Sequence, residues 1–152
     1  MMNSVYAIVL PIVVLAMIVI ATSMWRHRDA PGAKQYAGII ILAIVWMGGD
    51  WLSRVGPNWE WQLFGEKVKY LGVAAIPALL WIATTAYRGQ SISHRNVFLL
   101  FLIPAFTLVM IWTNPAHTLF WTLLEPSGNS TPKAHYGWYF WLVHTPYSYS
   151  MT

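Results

Sequence analysis

The sequence predicts an all-α polytopic membrane helix bundle of four full spans and a partial fifth, on three observations. Hydrophobic residues make up 57% of the chain and charged ones only 9%, with ten Trp and eight Tyr in 152 residues, and the mean hydropathy is +0.49. A water-soluble domain this small leaves much of its surface exposed and cannot hide that much apolar area, so the solvent is lipid. The second observation is a series of apolar runs close to the ~20 residues, each rising ~1.5 Å, that cross a bilayer. The third is a proline near the middle of two of these runs, Pro77 and Pro104. Such a proline costs a soluble helix roughly 3 kcal/mol. In a membrane, neighbouring helices and hydroxyl side chains bond the carbonyl that it frees.

The first span is expected over residues 5–25. Its positive charges, Arg26, Arg28 and Lys34, follow the apolar core instead of preceding it, which is the wrong order for a cleaved signal peptide. Pro11 falls within its first two turns, where a proline disturbs little. Pro31-Gly32 marks a turn, and the second span follows over 36–55, carrying Gly48, Gly49 and Asp50 near its end. The polar, Trp-containing stretch 58–67 reads as a loop or short helix at the membrane interface. The third span, 68–87, places Ala74 and Ala78 at a spacing that permits close helix contact. The fourth runs over 96–112, and both it and the third read as kinked at their prolines.

Residues 113–137 hold Pro115, Pro126, Gly128 and Pro132 and read as a long outer loop, with an apolar patch over 119–124. Asn129-Ser130-Thr131 matches a glycosylation acceptor pattern too common by chance to weigh. The last apolar segment, 138–152, contains Pro146 and is shorter than a span, so the sequence reads as stopping inside its fifth helix. Arg and Lys favour one face only slightly, with Arg26, Arg28, Lys34, Arg88 and Arg95 against Arg54, Lys67, Lys69 and Lys133. The acids Asp50, Glu60, Glu66 and Glu125 fall on the second side or at its edge. Short loops carry most of the orientation signal, and together these place the N-terminus outside.

The sequence contains no cysteine, which excludes disulfides, thiolate metal sites and cysteine nucleophiles. It has no clustered nucleophile and base and no metal-binding HExxH, so neither a hydrolase nor a metal site is expected. Only His144 lies well inside an apolar segment, whereas a haem subunit needs histidines on two facing spans. No cofactor is expected, and the basic residues beside apolar runs speak for topology and not for nucleic acid.

The ordered set Tyr70-Leu71-Gly72 with Pro77, Thr113-Asn114-Pro115-Ala116-His117 with Trp121, and Gly137-Trp138-Tyr139-Phe140-Trp141 resembles the N-terminal seven-helix membrane region of prokaryotic sensor histidine kinases. The resemblance covers roughly residues 46–149. In that family an acid, usually glutamate, follows the second span's tryptophan by a few positions; here Trp46 is followed by Asp50. Spans six and seven and every kinase element of the family are missing from this sequence. The resemblance therefore implies a non-catalytic sensory input domain, in a dimer, that passes a population shift to a cytoplasmic output. The rival reading is a small structural or accessory subunit of a larger membrane complex.

Asp50 stands out because an acid within a span is costly and often functional. It sits about one turn, roughly 6 Å, from the span end. It either binds a ligand or pairs with Arg54 at i,i+4 or with Lys69. His117 follows the fourth span directly and suits a ligand donor, a metal ligand, a pH sensor or a simple hydrogen-bonded turn residue. Asp50, Lys69, His117 and Trp121 all belong to the same expected face. They are expected to line an outward-opening small-ligand pocket, with Tyr70 and segment 121–124 as its lid.

Overall fold

A computed structural model describes residues 2–126 and 132–151. The triplet Asn129–Thr131 lies outside the described residues. Among the described residues, four helices are long and apolar enough to cross a membrane: α1 (Met2–Arg26), α2 (Ala33–Val55), α3 (Trp59–Tyr87) and α4 (His94–Trp112). The chain is an all-α, multi-pass membrane bundle.

Three boundaries differ from the sequence expectation, each for a local reason. α1 begins at Met2, which moves Pro11 out of its first two turns. α3 begins at Trp59 and not at Val68, so the stretch 58–67 is neither loop nor separate interfacial helix but the first turns of the span. Pro57 stops α2, Gly56 closes it by donating its N–H to the Leu52 carbonyl at 2.9 Å, and Asn58 caps α3 by accepting from the Trp61 N–H at 3.1 Å. The third difference lies in residues 113–137. After a 3-10 turn at Asn114–Ala116, strands β1 (Trp121–Glu125) and β2 (Lys133–Tyr136) form an antiparallel pair with Leu124 opposite Ala134 and a bulge between Trp121 and Leu123.

α2 and α3 form the tightest pair. Three contacts fix them as antiparallel neighbours: Gly49 against Lys69, Ser53 against Gly65, and Trp46 against Gly72. A Cβ on Gly65 would lie 2.7 Å from the Gly49 carbonyl oxygen, and one on Gly72 would lie 2.8 Å from the Trp46 Cβ. Backbones approach this closely only where side chains are missing or small, as is usual between membrane helices. Ala74 and Ala78 are buried on α3 as their spacing predicts. α1 packs on α2 through Ala21 and Ala37 and leaves Ile12, Leu15 and Val19 more than 60% exposed, as suits a helix facing lipid.

α4 runs through Pro104 without a break. Proline has no N–H for the Leu100 carbonyl four residues back, and the Tyr147 hydroxyl donates to that oxygen at 2.7 Å. Tyr147 belongs to the last helical segment, which starts at Trp138, widens into a π-helical turn over Phe140–His144 and continues as α5 (Thr145–Ser150). Pro146 lies inside this continuous segment, directly after the π-helical turn, and has no N–H to give to that turn.

Candidate functional site

The buried core gathers at the end of the bundle that carries the hairpin, around Tyr70, Ile111, Phe120, Trp121 and Tyr139. The turn after α4 delivers two of these rings. Asn114 Oδ1 accepts from the backbone N–H groups of Phe120 and Trp121 at 3.0 and 2.9 Å, and its Nδ2 donates to the Trp121 carbonyl at 3.0 Å. One side chain thereby satisfies three backbone groups and clamps the start of β1 to the end of α4. His117 completes the turn: its Nδ1 accepts from the Leu119 N–H at 3.0 Å, and its Nε2 lies 3.0 Å from Thr113 Oγ1. Because that hydroxyl donates to the Val109 carbonyl at 2.6 Å, the network closes with the proton on Nε2 and a neutral ring. Thr118 follows at φ 55°, a left-handed conformation unusual for a β-branched residue, held by its N–H bond to the Asn114 carbonyl at 2.8 Å.

The rings pack edge to face, the arrangement favoured by their quadrupoles. Tyr70 lies 5.0 Å from Phe120 and 5.6 Å from Trp121. Its hydroxyl donates across 3.3 Å to that of Tyr136 on β2. Tyr136 in turn stacks on Phe140 at 3.8 Å. The hairpin thus rests Trp121 and Tyr136 on the end of the bundle, with most of its other strand residues exposed. His144 is buried among Tyr70, Phe120 and Phe140.

Beside this core lies a charge cluster at the α2–α3 contact. The Asp50 carboxylate pairs with Arg54 at 2.8 Å and with Lys69 at 4.0 Å, while Lys69 Nζ sits 2.7 Å from the Glu66 carboxylate. Glu66 is 1% exposed, and a charge so buried is tolerable only when paired. Two acids and two bases leave the cluster neutral. Lys69 Nζ also stands 5.9 Å from the centre of the Tyr70 ring, within cation–π range. A single lysine therefore touches both the charge cluster and the aromatic core.

Of the expected site residues, Asp50, Lys69, Tyr70 and Trp121 form one continuous chain of contacts. His117 joins them only through the turn that carries Trp121. Asp50 has both partners that the sequence offered as alternatives, Arg54 one turn on and Lys69 at the start of the third span. Tyr70 is 4% exposed and is a core residue, not a lid. A cavity of about 180 Å³ adjoins Trp121, lined also by Leu63, Lys67, Asn114 and Leu124 but not by Asp50, Lys69, Tyr70 or His117. Among the described residues no group of three or more His, Asp or Glu is placed to hold a metal ion. Sequence reasoning did not select Glu66, Tyr136 or His144. The i,i+3 spacing of Glu66 and Lys69 was the available signal, hidden by reading 58–67 as a surface segment.

A family model described as the N-terminal 7TM region of histidine kinase matches residues 8–152, and the chain belongs to that family. No curated protein and no solved structure matches it.

Proposed function

From this family membership we propose that the chain is the stimulus-receiving membrane domain of a histidine-kinase-like receptor, with its N-terminus and hairpin outside and no catalytic step of its own. The observation that carries the reading is the position of Lys69, shared between two carboxylates and the ring of Tyr70. A small ligand with an anionic or hydrogen-bonding group, or a change in the surrounding bilayer, that draws Lys69 or Asp50 away alters both the α2–α3 contact and the core under the hairpin. Such an event biases a two-state helix arrangement, which is how a local electrostatic change gains a distant readout. In this scheme Asp50, Lys69, Tyr70 and Trp121 receive the stimulus, and His117 holds the turn that positions Trp121.

The test uses a receptor in which this domain drives a histidine-kinase output. Asp50→Asn and His117→Ala are expected to abolish the response while the detergent melting temperature stays within a few degrees of the parent. A response that survives both changes, or that is lost only as the fold melts, sinks the proposal. Orientation is read separately with cysteines at Lys133 and Ser91 in this cysteine-free background. Impermeant reagent on intact cells is expected to label the first and spare the second.

A further inference from the structure

At the end opposite the hairpin a crevice of about 600 Å³ opens between α3, α4 and the last helical segment. We infer that it holds an anionic phospholipid, with the headgroup at Arg88 and an acyl chain between α3 and α4. One face of α3 lines it from Trp81 to Arg88, and one face of α4 from Ile103 to Asn96, each a run of about 10 Å along a helix. The two faces are graded in the same direction. The deep part meets Trp81, Leu100 and Ile103, while the mouth gathers the guanidinium of Arg88, the amides of Gln90 and Asn96 and the hydroxyl of Ser91. Thr84 and Thr85 lie along the wall, but their hydroxyls donate to the Trp81 carbonyl at 3.0 and 2.8 Å, so they add little polarity to it.

Charge selects the occupant. No carboxylate lines the crevice, and among the described residues the Arg88 side chain has no ion-pair or hydrogen-bond partner. This exposed guanidinium, with the donors of Gln90, Ser91 and Asn96 beside it, suits a phosphate. The apolar depth calls for a hydrocarbon chain on the same molecule, which a free anion lacks. Basic pockets between membrane helices bind anionic headgroups by this combination.

The test is native mass spectrometry of the chain in mild detergent, titrated with dioleoyl phosphatidylglycerol or dioleoyl phosphatidylcholine. The anionic phosphatidylglycerol is expected to be retained in preference, and Arg88→Gln to reduce that preference roughly five-fold. Arg95→Gln, at the same end but outside the crevice, is expected to leave it unchanged. Leu99→Trp, which fills the groove, is expected to reduce retention of both lipids. Equal effects of the two arginine changes would mean diffuse surface charge and would overturn the inference. So would competition by glycerol phosphate as strong as by the lipid. A Leu99→Trp chain that loses only a dimer would show that a second copy fills the groove, and would overturn it as well.

Discussion

The two ends of α3 are packed in opposite ways. At the hairpin end its backbone touches α2 at Gly65 and Lys69, and its Tyr70 ring is enclosed by Phe120 and Trp121. At the other end Trp81 and Arg88 face α4 across an open crevice. Both ends belong to one uninterrupted helix, and the end that packs more tightly is the one that carries Glu60, Glu66, Lys67 and Lys69, so hydrophobicity does not explain the difference. The difference lies in side-chain size and in what else covers the helix. Glycines admit a second backbone and the hairpin supplies aromatic rings, whereas at the crevice end bulky residues on both helices meet few covering groups. Close-packed contacts have few alternative arrangements, and loosely covered ones have many. The hairpin end is therefore expected to be the more rigid of the two.

The sharpest way to break this contrast is at the glycines. Gly65→Leu drives a side chain into the backbone of Gly49, Leu52 and Ser53, and is expected to cost ~3 kcal/mol or more. Gly48→Leu, where a Cβ meets nothing within 4 Å, is expected to change stability by less than ~1 kcal/mol. Thermal melting in detergent compares the two, and equal effects would deny that backbone contact holds α2 to α3. Lys69→Met comes next, because it strands the buried Glu66 carboxylate, with an expected cost of ~3 kcal/mol. Adding Glu66→Met should recover most of that loss, and a double-mutant cycle with no coupling would contradict the pairing. The smallest effect belongs to the crevice end. Tyr147→Phe leaves the Leu100 carbonyl without its donor, at an expected ~1 kcal/mol. In a Pro104→Ala background the restored N–H replaces that donor, so the tyrosine change should then cost almost nothing.

Spans were legible because each depends on residues adjacent in sequence: runs such as 96–112 carry their own signal. The Asp50–Arg54 pair was legible for the same reason, at one helical turn. The burial of Glu66 was not, because it depends on α2 lying against a segment that looks polar by itself. The hairpin escaped notice because the bulge between Trp121 and Leu123 breaks strand alternation and its two strands are joined only across space. Nor did sequence show that Asn114 satisfies three backbone groups, since its partners lie six and seven residues ahead. The hydroxyl that answers Pro104 was foreseen as a type of solution, but its source, Tyr147, lies forty-seven positions away.

That last bond has a consequence in time. A hydrogen bond of net worth ~1 kcal/mol is open in roughly one molecule in six at 25 °C. By that measure the brace on the proline turn of α4 is absent in a minority of molecules at any moment. An equilibrium so lightly weighted would be inverted by any contact that favoured the open form by ~2 kcal/mol.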